Sequence, residues 1–144
     1  MATAGELITR IQRLFGDESA TFLETADMYM WLNDAQLDIA RHTDILAGEL
    51  SGTTVAGTNN ISGPTDLIRL TQVVLNQVPL QEYPIENDRY TTSLSVEVPT
   101  GGFTYWKKLI YFASGSTVSA VSYKILYSRR PATLTVTGDI PEIP

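Results

Sequence analysis

Residues 25–46 read TADMYMWLNDAQLDIARHTDIL, and this stretch decides the fold class. Apolar side chains recur in it at spacings of three and four residues, the period of a helix with one buried face. Thr25 is the predicted N-cap, and Asp27 lies in the first turn, where a carboxylate suits the helix dipole. The predicted apolar face consists of Met28, Leu32, Ala35, Ile39, His42 and Leu46.

A first, shorter amphipathic helix is predicted upstream, over residues 3–15. Its apolar face contains Leu7, Ile8, Ile11, Leu14 and Phe15, and Gly16 supplies a stop signal. Two such helices joined by a short segment cannot bury both apolar faces unless they pack on each other or on something else.

The composition changes at about Gly48, and from there the sequence predicts strands rich in Thr, Ser, Val and Tyr. The clearest are the apolar run 67–75 and the alternating segment 121–127. A hairpin is predicted where 103–106 and 109–112 flank Lys107 and Lys108, although two lysines are not favoured in a tight primed turn. Three further segments are predicted from weaker patterns. They are a loop or open hairpin over 51–63, a short helix or ordered loop over 82–93, and a short strand over 94–98.

The sequence therefore predicts an α+β protein with an N-terminal pair of amphipathic helices followed by an antiparallel β-rich portion with hairpins. We expect a single domain over residues 1–144. Its predicted parts are a helical layer (1–48), a β-rich portion (51–128) and an extended, proline-containing tail (129–144).

Composition excludes several classes of function. The chain has no cysteine, which excludes disulfides, thiolate metal sites and a cysteine nucleophile, and its one histidine excludes sites that need two imidazoles. Ten basic against 16 acidic residues give a net charge of −6, which disfavours a surface built to hold nucleic acid or an anionic membrane. No stretch approaches the roughly 18 apolar residues of a membrane span, and no signal-peptide pattern is visible.

Few residues are candidates for catalysis or metal binding. His42 follows Asp38 by one helical turn, and the carboxylate pairs are Asp17 with Glu18 and Asp34 with Asp38. None is accompanied by a nucleophile, a phosphate-binding glycine loop or a metal-ligand spacing. We therefore expect a packed or interfacial histidine, solvated surface carboxylates, and neither a catalytic site, a cofactor nor a metal ion.

An aromatic and basic mixture is predicted on neighbouring strands of the β-rich portion. Such a surface resembles those that stack nucleic-acid bases, but aromatic residues are also favoured in half-buried strands for packing alone. The residues concerned are Tyr105, Trp106, Lys107, Lys108, Tyr111, Tyr123 and Tyr127. The pattern at 60–62, Asn-Ile-Ser, matches a glycosylation acceptor and is interpreted as a coincidence in a chain without a secretory signal.

The order of several segments resembles the tailed-phage head-to-tail adaptor proteins. Residues 4–10 (AGELITR) and 31–41 (WLNDAQLDIAR) resemble the paired N-terminal helices of that family, and 63–70 (GPTDLIRL) resembles its Pro-x-Asp turn into a strand. The resemblance continues at 125–131 (ILYSRRP) and 137–144 (TGDIPEIP). In the family such an exit leads into further C-terminal helices. Whether the chain is shortened here or neighbouring subunits complete the helical layer stays open.

The resemblance implies a non-enzymatic virion protein at the neck between capsid and tail, assembled in the host cytoplasm without contact to a membrane. It implies a homo-oligomeric ring, a dodecamer, that lies below the portal protein, docks stopper or tail proteins and continues the channel for viral DNA without sequence-specific binding. The acidic composition fits a channel that must not retain DNA.

We expect interfaces to be the functional sites. The residues predicted to hold the helical layer are Leu7, Ile11, Leu14, Met28, Trp31, Leu32 and Ile39, and those predicted to face a partner are Tyr105, Trp106 and Tyr111. Two alternatives remain at this point: a tail-tube, tail-completion or stopper protein, and a small single-stranded nucleic-acid-binding module. The copy number, the portal-facing surface and the channel-lining helix are not determined by the sequence.

Overall fold

The computed structural model describes residues 2–83, 101–112 and 120–143. Within these residues the protein is of the α+β class, as predicted, with a sheet that is mostly antiparallel. The elements are α1 (Ala4–Leu14), α2 (Thr25–Thr43), β1 (Ala47–Thr53), β2 (Asn60–Ser62), β3 (Leu67–Leu75), β4 (Val78–Glu82), β5 (Gly102–Trp106), β6 (Leu109–Phe112) and β7 (Ser122–Arg129). The strand predicted at 94–98 and all but the first two residues of the segment 82–93 lie outside the described residues.

Helix α1 begins at a capping box. The Thr3 hydroxyl accepts the backbone N–H of Glu6 at 3.2 Å, and the Glu6 carboxylate accepts the backbone N–H of Thr3 at 3.0 Å. Two of the N–H groups that a helix start leaves without partners are thereby satisfied.

Helix α2 begins one residue earlier than its predicted cap implies. The N-cap is Glu24, whose side chain makes no capping hydrogen bond, so the prediction of Thr25 as N-cap was wrong by one position. The helix ends at Thr43, and Asp44 leaves it in the left-handed region (φ 51°). Leu46 is buried, as predicted, but lies beyond the helix.

The predicted apolar face of α2 was wrong at three of its six positions. The buried side chains of the helix are Met28, Gln36 and Ala40, whereas the predicted face members that are exposed are Ala35, Ile39 and His42. The buried positions follow an i, i+4 row, and Gln36 joins it because its Oε1 accepts the backbone N–H of Glu142 at 3.1 Å. A hydrogen bond to a residue so distant in sequence is not visible in the helical period.

The strands of the described residues form one seven-stranded sheet in the order β1-β7-β3-β4-β5-β6-β2. β3 pairs antiparallel with β4, and β6 pairs antiparallel with both β5 and β2, whereas β4 and β5 run parallel. β1 and β2 occupy parts of the segment 51–63 that was predicted as a loop or open hairpin. The buried core on this sheet consists of Ile61, Val73, Leu75, Phe103, Ile110, Phe112, Ile125 and Tyr127.

Two tight turns join antiparallel neighbours with both central residues at positive φ. Asn76 and Gln77 (φ 49° and 66°) join β3 to β4, and Lys107 and Lys108 (φ 48° and 66°) join β5 to β6. This is the backbone of a primed turn, whose twist matches that of the flanking strands. A lysine in the left-handed region is strained by its Cβ, at a cost of about 1–2 kcal/mol per residue.

Replacing the turn lysines with the favoured pair, K107N/K108G, is therefore expected to raise the free energy of unfolding by about 1 kcal/mol after loss of the local lysine contacts. Urea denaturation of the variant and the wild type measures the difference. A variant that is no more stable than the wild type would contradict the strain assigned to this turn.

The described chain divides into two compact units. One comprises residues 1–47 and 128–144, and the other comprises residues 48–127. The first contains both helices and the irregular C-terminal segment, and the second contains most of the sheet.

Candidate assembly surfaces

His42 is a surface residue of α2. Its Nδ1 lies 2.9 Å from the backbone oxygen of Asp38 and 3.4 Å from the Asp38 carboxylate, so its contacts are with its own helix. Both side chains are about three-quarters exposed. The hollow of about 170 Å³ between α2 and residues 130–133 is lined by Asn33, Asp34 and Leu37 and does not include His42.

Within residues 2–83, 101–112 and 120–143, no group of three or more histidine, aspartate or glutamate side chains is placed to hold a metal ion. In the same ranges, no helix combines the length and the apolarity that crossing a membrane requires.

The C-terminal segment is fastened to β7 and α2 by side chains. The Glu142 carboxylate accepts two N–H bonds from the Arg129 guanidinium, at 2.8 and 3.0 Å, and one from the backbone of Ala132 at 2.7 Å. The hydrogen bonds from Arg129, followed by the one from Ala132, hold the pKa of Glu142 below its ordinary value. The Asn33 side chain both donates to and accepts from the Leu134 backbone, at 3.0 and 2.8 Å. We call the side chains Arg129, Glu142, Asn33 and Gln36 the tail clasp.

The fastened segment in turn completes the start of α1. The backbone N–H groups of Ala4 and Gly5 donate to the carbonyls of Asp139 and Thr137, at 2.7 and 3.0 Å. A Cβ on Gly5 would lie 3.0 Å from the Thr137 side chain, so glycine permits this close approach. The Asp139 carboxylate accepts the N–H of Thr135 and of Val136, which lowers its pKa and fixes the bend.

The connection between the helices is organised by Asp17. Its carboxylate accepts the backbone N–H groups of Thr21, Phe22 and Leu23 at 2.8–2.9 Å, and the residue is only 5% exposed. The bond from Leu23, then those from Phe22 and Thr21, lower the pKa of Asp17, and burial opposes them. Asp17 was predicted to be a solvated surface carboxylate, and this prediction was wrong, because its partners are backbone N–H groups that the sequence does not reveal.

We expect D17N to lower the melting temperature by several degrees at neutral pH, since an amide offers only one acceptor oxygen. A carboxyl whose pKa is lowered by folding stabilises the fold above its unfolded pKa of about 3.9, and the effect disappears as the pH falls through the folded value. Melting curves from pH 7 to pH 2.5 should therefore converge at the acid end. The control E18Q changes the neighbouring exposed carboxylate and should have the melting temperature of the wild type. A difference in melting temperature between D17N and the wild type that stayed the same at every pH would contradict the role of the charge.

The closed connection displays a group of large apolar side chains. Leu14 and Phe15 at the end of α1 are 84% and 73% exposed, and Phe22 is 86% exposed. The Asp17 hydrogen bonds hold the backbone of Phe22 near the end of α1. We call Leu14, Phe15 and Phe22 the loop patch. Contiguous apolar side chains at a surface mark places that other proteins cover, and these three lie within one short segment, residues 14–22.

A second surface of distinct chemistry lies at the turn between β5 and β6. Lys107 and Lys108 are exposed, and the Lys107 Nζ lies 4.3 Å from the centroid of the Trp106 ring, a cation–π contact. We call Trp106, Lys107 and Lys108 the hairpin tip.

The predicted interface residues differ in exposure. Leu14, Trp31 and Ile39 are exposed, whereas Met28 is fully buried within its own protomer. The half-buried members are Leu7, Ile11, Leu32, Tyr105, Trp106 and Tyr111. Sequence reasoning missed Phe22, whose neighbours in the chain carry no helical or strand period.

The aromatic and basic mixture predicted on neighbouring strands is not one surface. β7, which carries Tyr123 and Tyr127, is separated from β5 by β3 and β4. The two tyrosines contact glycines instead: a Cβ on Gly48 would lie 2.6 Å from the Tyr127 ring, and one on Gly52 would lie 2.7 Å from the Tyr123 hydroxyl. The β7 tyrosines therefore pack against β1 and do not extend the hairpin tip.

Large exposed apolar surfaces are a feature of proteins that assemble with others. Residues 2–144 match the family model of the SU10 adaptor protein. The chain belongs to the SU10 adaptor protein family, which confirms the resemblance found in the sequence. It is an adaptor-type structural protein of a bacteriophage virion, and the family implies a place at the neck in association with components such as portal and tail. A comparison with curated proteins gave no match.

Proposed function

We propose that the protein forms a homo-oligomeric ring, a dodecamer, directly below the portal, where it continues the DNA channel and docks stopper or tail proteins. The observation that carries the proposal is the family match over residues 2–144 together with the exposed loop patch. Full burial of one such apolar side chain contributes roughly 1.5–3 kcal/mol of favourable free energy, which is absent while the side chain is exposed to water. Contact with a neighbouring subunit would supply this burial.

The proposal assigns the exposed helical residues Leu14, Trp31 and Ile39 to contacts between subunits. The half-buried residues Leu7, Ile11 and Leu32 would lie at the edges of these contacts. Met28 supports the layer from within the protomer. The hairpin residues Tyr105, Trp106 and Tyr111 lie toward a partner.

The charge of the chain suits a conduit for DNA. Each copy carries a net charge of −6, and repetition of that charge around a ring opposes the phosphate neutralisation on which retention of DNA depends. DNA would therefore pass without sequence-specific binding.

Native mass spectrometry of the chain, alone and with the portal protein of the same phage, tests this function. We expect a closed ring on the portal. A chain that remains monomeric in the presence of portal rings would refute the proposal, and binding only to tail-tube or stopper proteins would favour the alternative position in the virion.

A further inference from the structure

We infer that neighbouring copies of this chain contact each other through two unlike surfaces: the hairpin tip of one copy docks on the loop patch of the next. The inference rests on the proposed function, because it names the surfaces that close the proposed ring.

A cyclic ring of more than two copies needs a head-to-tail contact, in which each subunit offers two different, complementary surfaces. The two surfaces named here belong to different compact units of the chain and differ in chemistry. The loop patch is aliphatic and aromatic, and the hairpin tip is aromatic and basic.

Charge complementarity identifies the occupant of the loop patch. The chain segment that carries the patch also carries exposed carboxylates at Glu18, Glu24 and Asp27, which form no ion pair with any described residue. Copies with a net charge of −6 repel one another, so a cationic surface is the part of a second copy that this patch attracts.

The hairpin tip supplies such a cationic surface in the unit of residues 48–127, whereas the exposed arginines Arg10, Arg13, Arg41 and Arg130 belong to the same unit as the loop patch. It holds two of the three lysines of the chain, and the third, Lys124, pairs with Glu49 at 3.0 Å. Lys107 and Lys108 form no ion pair with any described residue.

The apolar parts of the two surfaces also match. Trp106 at the hairpin tip is half-buried in the protomer, and tryptophan is among the residues that most often anchor an interface. Phe22 and Phe15 offer it aromatic neighbours. Because the Asp17 carboxylate already binds three backbone N–H groups of the loop, we expect less conformational entropy to be lost when the contact forms.

Reciprocal charge reversal tests the contact in the full chain. K107E/K108E and E18K/E24K should each raise the concentration needed for ring assembly on portal by at least about tenfold. Their combination in one chain should recover most of the loss, because the opposite charges then meet again. The control K124E reverses an exposed lysine of the same unit and should assemble like the wild type. Circular dichroism verifies that each variant is folded.

K107N/K108G provides an independent variant that does not introduce a new charge. If the two lysines serve only the turn, the variant should be more stable and should assemble normally. If they also dock on the loop patch, the variant should be more stable but should assemble less well. Only the second result supports the inference.

The outcomes separate this inference from the proposed function. If the wild type assembles on portal and K107E/K108E assembles equally well, the inference is overturned and the proposed function stands. Rings of K107E/K108E that form normally but no longer bind portal, or that lose only DNA affinity, assign the tip to portal or DNA and also overturn it. A wild type that never assembles refutes both.

Discussion

Replacing Gly48 by alanine is expected to lower the free energy of unfolding by about 2–3 kcal/mol, the upper part of the range for overpacked sites. The new Cβ would lie 2.6–3.0 Å from three atoms of the Tyr127 ring. That ring cannot easily move away, because it is buried and its hydroxyl donates to Asp66 Oδ1 at 3.0 Å. Chemical denaturation of purified G48A measures the loss.

Alanine substitutions at two other glycines serve as controls for the stability loss in G48A. G138A adds a Cβ with no atom within 4 Å and should change stability by less than about 0.5 kcal/mol. The Cβ added by G52A would lie 2.7–3.1 Å from the hydroxyl and two ring carbons of Tyr123, which is only half-buried, so this variant should fall between the two. Equal effects at Gly48 and Gly138 would contradict the packing of β1 on β7 described here.

The second large loss of stability is expected when the negative charge of Glu142 in the tail clasp is removed. E142Q should lower the free energy of unfolding by about 2 kcal/mol at neutral pH, since the carboxylate accepts three N–H bonds, two of them from a cation. Because folding lowers the pKa of Glu142, this stabilisation is complete above the unfolded pKa of about 4.3 and is lost as the pH falls through the folded value.

Hydrogen exchange localises the effect of E142Q. The backbone N–H groups of Ala4 and Gly5 donate to the C-terminal segment, so they should exchange faster in the variant. E49Q is the matched control, since its ion pair with Lys124 is about half exposed and contributes about 0–1 kcal/mol. Unchanged exchange at the start of α1 in E142Q would mean that the clasp does not hold the segment in place.

The parts of the fold that the sequence predicts are those set by local periodicity. β3 covers Leu67–Leu75, the predicted apolar run. In β7 the buried or half-buried side chains of Tyr123 and Ile125 alternate with exposed Ser122 and Lys124, as predicted, but Ser128, the next member of the polar row, is buried and donates to Asp44. Apart from Ser128, in both strands the sequence of apolar and polar residues indicates directly which side chains are buried.

The remaining features depend on contacts between distant segments. Gln36 is buried because Glu142 donates to it, and Asn33 pairs with Leu134, so the true buried face of α2 is determined by a segment about a hundred residues away. The order of strands, which separates β7 from β5, is likewise absent from any local pattern. Among the assembly surfaces, the hairpin tip could be found as a basic pair between apolar runs, whereas the loop patch depends on the backbone hydrogen bonds of Asp17.

The central claim is that the protein works by fitting between virion components as one member of a ring. Electron cryo-microscopy of the chain bound to portal from the same phage tests it most directly. We predict a closed ring of copies coaxial with the portal and in direct contact with it, with the acidic subunits surrounding an open channel. A map in which the chain occurs only as isolated monomers, or only at tail components without touching the portal, would contradict the claim.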